Sequence, residues 1–308
     1  MGKKTKVAIA IAAASAAAWA GSKAIIKPQK REDKEVLLYD RPIILAHRGG
    51  SLLGPEHTMA AFEKAHALGV DGFEIDIRLT KDEEIVVFHD ATVNRTSDGT
   101  GFVKDFTLDE LKELNFGYHF EDLDGQFPYK EEKADIVSLR ELLEVFPNMY
   151  INIDIKDHPD TYEGSLMPSK LWRLIEEFNA ENRIVLTSFY SEQVDRFNLY
   201  AQNRVALGAG ENDVRKAFTA FSSQFGHLFT PKVDVFQIPP KHGRVSLDSP
   251  RFIAYLAKMN IPVHYWTIDD EETMRTLIEN GAKGIITDRP DIAVKVLESI
   301  QAEENKEE

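Results

Sequence analysis

From Ile43 onward, short apolar runs alternate with stretches in which apolar residues recur every three or four positions. The runs at 43–46, 72–79, 85–88, 150–155, 183–188, 204–208, 234–238, 263–267 and 284–287 predict strands. The intervening periodicity predicts helices at 58–68, 108–114, 139–146, 169–178, 192–200, 251–259, 271–280 and 291–300. Ser191 ahead of the fifth helix and Pro290 at the opening of the last are suitable starts. Strand–helix alternation over most of the chain indicates an α/β fold with a mostly parallel sheet, and the count suits a closed barrel of eight strands and eight helices. Nine strand candidates are one too many, so one is irregular or lies outside the barrel. The pair 72–79 and 85–88 is joined only by TKDEE, too short for a crossover helix. A doubly wound open sheet is the alternative, but no G-x-G-x-x-G follows a strand, which weakens its dinucleotide-binding version. Residues 116–137 read as a long irregular loop over one face.

The two ends depart from this pattern. Lys3, Lys4 and Lys6 precede an uncharged, alanine-heavy run, Val7 to Ser22, of 16 residues. A membrane span needs about 18 or more apolar residues. The basic start, apolar middle and Ala18-Trp19-Ala20 suit a secretory signal with an A-x-A cleavage site. An uncleaved anchor extended by Ile25 and Ile26 is a second reading, and either places the protein at a membrane surface or outside the cytoplasm; the bland alternative is a disordered or weakly helical tail. The charged KPQKREDKE reads as a linker, which divides the chain into an N-terminal segment (1–34), a barrel (35–300) and a frayed acidic tail (301–308).

Composition is ordinary for a globular protein with a sizeable core, at 43% apolar and 29% charged residues. The net charge of −14 argues against a nucleic-acid partner, which needs a basic face. No cysteine is present, so disulfides, zinc–thiolate sites and a cysteine nucleophile are excluded.

In a parallel barrel, the C-terminal ends of the strands converge on one mouth, where active sites are built. These ends carry His47-Arg48, Glu74 and Asp76, His89-Asp90, Asp154 and Lys156, Ser188, Trp266-Thr267 and Asp288. Glu74 and Asp76 are two apart on a strand and share a face, while the alternating Phe73, Ile75 and Ile77 would fill the layer between barrel and helices. Carboxylates buried together need a cation, and oxygen-only ligands (Glu74, Asp76, Asp154) suit Mg²⁺ or Ca²⁺ better than zinc. An exposed edge strand is the bland alternative for that pair. His47 and His89 suit a general acid and base, with Arg48 and Lys156 holding an anionic group. The remaining histidines, His57 among them, receive no catalytic assignment.

The ordered set LAHRGG (45–50), PEHT (55–58), FEIDIRLTKD (73–82), VVFHD (86–90), NRTSDGTG (94–101), INIDIK (151–156), YWTI (265–268) and ITDRP (286–290) closely resembles the glycerophosphodiester phosphodiesterase family. The resemblance implies a TIM-barrel-like (β/α)8 hydrolase with one divalent cation, Mg²⁺ or Ca²⁺. It implies His47 and His89 as the acid/base pair, and Glu74, Asp76 and Asp154 as metal ligands. Arg48 and Lys156 would be phosphate contacts, Glu56 a further site carboxylate, and Trp266 a wall for the alcohol. The family usually has Glu where this chain has Asp154, one methylene shorter. That version, with 127–139 and 145–148, looks like the lysophospholipase D-type subgroup, which acts on lysophospholipids at membranes.

The stretch Ala217 to Phe229 spaces Phe218, Phe221, Phe225 and Phe229 along one helical face, either packed on the barrel or exposed to lipid. Three functions follow. One is metal-dependent hydrolysis of glycerophosphodiesters to an alcohol and glycerol 3-phosphate. Another is the same chemistry on lysophospholipids, releasing lysophosphatidic acid. The last is a catalytically silent, membrane-tethered binding module.

Overall fold

The computed structural model describes residues 2, 5, 15 and 17–307. Most of the run 7–22 therefore lies outside the described residues. Among the described residues no helix is long and apolar enough to cross a membrane.

All nine expected strands form: β1 (Ile43–His47), β2 (Gly72–Leu79), β3 (Ile85–Val87), β4 (Tyr150–Ile155), β5 (Ile184–Thr187), β6 (Ala206–Leu207), β7 (Phe236–Ile238), β10 (Val263–Tyr265) and β11 (Gly284–Thr287). A short hairpin, β8 (Lys241–His242) with β9 (Val245–Ser246), was not expected. Eight strands run in the order β6-β5-β4-β2-β1-β11-β10-β7, each pair parallel. The open ends meet: Gly208 bridges Val235 in parallel, and Asp234 N donates to Leu207 O at 2.7 Å. The sheet is thus a closed barrel, and the surplus strand is β3. It pairs antiparallel with β2, beyond the barrel rim, as the five-residue connection requires.

Strand alternation sorts the residues into an inner and an outer set. Outward-facing Ile44, Phe73, Ile75, Ile77, Ile151 and Ile153 join the surrounding helices in the main core. Inward-facing Ile43, Leu45, Tyr150, Val185, Ala206, Val235 and Ile286 fill the lower barrel, closed from beneath by Val36. Leu37 and Tyr39 pack against this group, and the Tyr39 hydroxyl bonds His264 Nε2 at 2.6 Å. Room for Tyr150 comes from Gly72 on the neighbouring strand, where a Cβ would overlap the Tyr150 carbonyl oxygen. The predicted linker is therefore part of the barrel floor: Arg31 pairs with Asp234 at 2.8 Å, and Asn260 donates to the Arg31 carbonyl oxygen at 3.2 Å.

The helices hold two corrections. The helix expected from 169 begins at Tyr162 and runs through Pro168 to Glu177. Proline lacks the N–H that would bond the carbonyl four residues earlier. That carbonyl belongs to Gly164, and Gln193 Nε2 donates to it at 2.9 Å from the next helix. The expected tail is also helical: Pro290–Glu307 is one helix, held by Arg275 pairing with Glu303 at 3.1 Å. Ser191 proves to be the first helical residue rather than the cap. A helix at Glu211–Ser222 covers only part of the phenylalanine stripe. Phe218 meets Phe252 edge to face and Phe221 packs against it at a tilt, whereas Phe225 lies beyond the helix and is exposed.

Residues between β3 and β4 build a small second core of Val86, Phe88, Val93, Val103, Leu111, Phe116 and Ile136. A capping box, Thr107/Glu110, starts its helix, and a second, Ser138/Glu141, starts the next helix, which packs in the main core. The irregular 116–137 loop is thereby anchored on the rim.

Candidate active site

At the end of β1 the backbone turns sharply. Arg48 has φ 52° and Gly49 and Gly50 each have φ 87°, left-handed values that only glycine adopts freely. A Cβ on Gly50 would lie 2.9 Å from Pro290 Cγ, so the last helix could not sit as close. This turn leaves His47 inside the barrel and sends Arg48 across its mouth.

His47 Nδ1 donates to Asp288 Oδ1 at 2.7 Å, and Ser51 Oγ donates to the same oxygen at 2.6 Å. The other ring nitrogen, Nε2, lies 3.7 Å from Glu74 Oε2. Burial opposes charge on this imidazole, but Glu74 and Asp288 outweigh it and hold its pKa above the ordinary value. His89 arrives differently. Strand β3 runs back toward the barrel, Phe88 N donates to Asp76 O at 2.8 Å, and His89 follows. Its Nδ1 donates to Asp90 Oδ1 at 2.6 Å. Burial, with Arg48 and Lys156 nearby, pushes its pKa down. In both rings a carboxylate fixes Nδ1 as the donor, so Nε2 is the nitrogen left for chemistry.

Asp76 and Asp154 are register partners on β2 and β4. Lys156 Nζ stands between them, 2.8 Å from Asp76 Oδ1 and 2.6 Å from Asp154 Oδ2. Asp76 Oδ2 takes a bond from buried His57 Nε2 at 2.8 Å and lies 3.3 Å from Arg48 Nε. Against the cost of burial, these groups hold the Asp76 carboxyl far below the usual range. Glu74 goes the other way. Burial, then the charge of Asp76, push it up to about 7. Burial likewise pushes Asp154 up to about 6 despite Lys156.

Among the described residues no three His, Cys, Asp or Glu side chains converge closely enough to hold a metal ion. The donor chemistry nonetheless suits one. Glu74 Oε2 and Asp154 Oδ1 are buried oxygens without a hydrogen-bond partner, the condition a hard divalent cation relieves. Asp76 offers less, because both of its oxygens are already engaged.

Glu56 joins a chain of charges along the rim. Arg48 Nη1 donates to it at 3.0 Å, and Arg95 clamps it with two bonds of 2.7 Å. Burial disfavours its charge, yet these cations hold its pKa down to about 2. Arg95 Nε also reaches Asp90 Oδ2 at 2.7 Å. One guanidinium therefore positions the carboxylate behind His89 and the carboxylate behind Arg48. Replacing Arg95 with Leu is expected to lower turnover roughly 10- to 100-fold through misplaced His89. Substrate-dependence curves of the purified variant check this, and an unchanged kcat would show that Asp90 is held without it.

A cavity of about 570 Å³ opens at the mouth over His47, Arg48, Glu74, Asp154 and Lys156. Beyond these polar groups its wall is apolar, with Phe189, Val214, Phe218, Leu247 and Trp266. A second recess of about 450 Å³ also borders His89, Lys156 and Phe189, which therefore stand between the two.

The mouth thus gathers every residue given a site role from sequence: His47, Arg48, Glu56, Glu74, Asp76, His89, Asp154, Lys156 and Trp266. Four more belong with them. Asp288 and Asp90 fix the two imidazoles, Arg95 ties the rim, and His57 bonds Asp76. Each lies inside a motif already quoted, but its side-chain contact depends on residues distant in sequence or on backbone geometry.

Comparison with known proteins agrees. Residues 47–292 match the model of the glycerophosphoryl diester phosphodiesterase family. A glycerophosphodiester phosphodiesterase of Caldanaerobacter subterraneus subsp. tengcongensis is 33% identical over 259 residues, covering 83% of this chain and 98% of that protein. Its counterpart from Bacillus altitudinis is 30% identical over 264 residues, covering 84% and 99%. The glycerophosphoryl diester phosphodiesterase domain of a Mycobacterium tuberculosis protein superposes with a TM-score of 0.72 at 19% identity, covering 83% of this chain and 99% of that one. An Oleispira antarctica phosphodiesterase, solved with the product sn-glycerol-3-phosphate, superposes with a TM-score of 0.65 at 22% identity over 84% and 97%. The silent-module reading is set aside, and with this barrel, these motifs and these relatives the chain belongs to the glycerophosphoryl diester phosphodiesterase family as a phosphoric diester hydrolase.

Proposed function

We propose that the chain hydrolyses glycerophosphodiesters to an alcohol and glycerol 3-phosphate, with His89 as general base and His47 as general acid. The observation that carries this reading is the opposite environment of two similarly tethered imidazoles. Glu74 and Asp288 hold the pKa of His47 above the ordinary value, whereas burial, with Arg48 and Lys156 nearby, holds that of His89 below it, so His47 is the ring that keeps its proton more readily. Nε2 of His89 takes the proton of the attacking hydroxyl, from water or from the substrate's glycerol. Its oxygen forms the new bond to phosphorus. As the P–O bond to the leaving alcohol breaks, His47 Nε2 delivers a proton to that oxygen. Where the glycerol hydroxyl attacks, the step leaves a cyclic phosphate; a water that gives its proton to His47 then adds to phosphorus, and His89 returns its proton to the ring oxygen as that P–O bond breaks, giving glycerol 3-phosphate. Arg48 and Lys156 stabilise the charge on the phosphoryl oxygens, and their own carboxylate partners keep both in place beforehand. Glu74 and Asp154, with Asp76 beside them, would hold a divalent cation, which when bound neutralises phosphate charge and makes a nearby hydroxyl more acidic. The product in the Oleispira antarctica protein belongs to the class proposed here.

The test is the pH dependence of kcat/KM on glycerophosphocholine. A base must be free and an acid protonated, so activity should rise through a pKa below 6.5 assigned to His89. It should fall again through a pKa above 6.5 assigned to His47. Loss of the acidic limb in a His47 variant rather than a His89 variant would reverse the roles.

One observation favours a second substrate class. The apolar wall formed by Phe189, Phe218, Leu247 and Trp266 continues from the polar end and suits an acyl substituent, as in a lysophospholipid. Comparing kcat/KM for acylated and deacylated substrates separates the two, since equal values would remove any selective role for that wall.

A further inference from the structure

Among the described residues, the N-terminal segment touches one end of the barrel. The helix Glu211–Ser222 starts beside the mouth, where Glu211, Val214 and Phe218 line the cavity. The loop that follows, up to Val233, feeds the N-terminal end of β7, which in a parallel barrel is the end opposite the mouth. The helical residues 17–25 dock on that loop: Trp19 Nε1 donates to Gln224 O at 3.2 Å, and Ser22 Oγ bonds His227 Nε2 at 2.9 Å. From there the chain crosses beneath the barrel through Arg31 and Asp234 to Val36, the floor plug.

This floor face is both apolar and basic. Ile25 (82%), Ile26 (42%), Phe225 (45%) and Leu228 (50%) are solvent-exposed, and Trp19 beside them is half-buried. The helix face turned from the protein carries Ala17, Ala20 and Ala24, all exposed. In a chain of net charge −14, the stretch 23–31 holds Lys23, Lys27, Lys30 and Arg31 and no carboxylate. Among the described residues the three lysines pair with no acid. Exposed isoleucine, leucine and phenylalanine edged by lysine are the composition of a surface that sits at the headgroup level of an anionic bilayer. The uncharged run ending at Ser22 leads directly into it.

We infer that the floor of the barrel docks on an anionic lipid surface through residues 17–30, Phe225 and Leu228, holding the catalytic mouth away from the bilayer. The enzyme then draws its substrates from the aqueous phase rather than from the membrane that carries it. This orientation favours water-soluble diesters over the acylated substrates of the second reading above.

The cysteine-free sequence makes the orientation directly measurable. The full chain carries a single dye-labelled cysteine, as Leu228→Cys at the floor or as Glu192→Cys, at the start of the helix that follows β5 and hence on the mouth side. It is mixed with phosphatidylcholine vesicles, with and without phosphatidylglycerol, containing headgroup-level quencher lipids. Binding is expected only to the anionic vesicles and to weaken with salt. Quenching is expected at position 228 and not at 192. The triple variant Lys23→Glu, Lys27→Glu, Lys30→Glu should lose roughly 100-fold in vesicle affinity while cleaving soluble glycerophosphocholine as before. That unchanged turnover also shows that the variant is folded. Quenching at position 192, binding indifferent to lipid charge, or self-association through this face without vesicle binding would each overturn the inference.

Discussion

His47→Ala and His89→Ala are each expected to lower turnover of glycerophosphodiesters at least roughly 100-fold. The two losses should differ in kind. Removing His89 takes away the group that accepts a proton, so activity at high pH, where hydroxide is more available, should recover in part. Removing His47 takes away the proton donor, so substrates whose leaving alcohol is already acidic should suffer least. A nitrophenyl ester compared with glycerophosphocholine in both variants reads this difference directly. Near-normal turnover of glycerophosphocholine in either variant would remove that histidine from the chemistry. Neither substitution endangers the fold, since both rings stand at the mouth, outside the main apolar core.

The second large effect concerns the buried carboxylates. Stripping divalent cations with a chelator is expected to abolish turnover, and restoring Mg²⁺ or Ca²⁺ to recover it. Stability offers a readout independent of catalysis. Glu74 is pushed up to about 7 from an ordinary 4.5, and Asp154 up to about 6 from 3.8. A carboxyl whose folded-state pKa exceeds its unfolded value makes the fold less stable as pH climbs through that interval, with the full loss reached above the folded value. A cation at these oxygens competes with the protons. Its stabilisation should therefore be larger above pH 7 than below pH 6. Melting curves with and without cation check this. A gain that shrinks with rising pH would place the ion elsewhere, and Glu74→Gln should flatten the dependence.

Much of this site was legible along the chain, because a parallel barrel sends the ends of its strands to one place. The alternation in FEIDIRL put Glu74 and Asp76 inward and Phe73, Ile75 and Ile77 outward, and the helix layer takes up those three. What escaped were contacts whose partners are distant in sequence or depend on local geometry. Asp288 lies 241 residues from His47 and meets it only because β11 and β1 are neighbours. Arg95 is 39 residues from Glu56 and reaches it through a rim loop without regular periodicity. His57 sits in a left-handed turn, φ 60°, that the motif PEHT did not advertise. The missed start of the Tyr162–Glu177 helix has a similar origin. The expected range opened at 169, just past Pro168, and the side chain of Gln193, from another helix, bonds the carbonyl that the proline leaves free.

The plugged floor has a kinetic consequence. Val36 and the Tyr39–His264 bond seal the end of the barrel opposite the cavity. Whatever enters must leave by the same door. The phosphate-bearing fragment, held by Arg48 and Lys156 at the inner end, departs behind the alcohol, and until it does no new diester can be seated. Glycerol 3-phosphate should accordingly inhibit in competition with substrate, while the free alcohol should not. An enzyme built as a cul-de-sac slows when its own product accumulates.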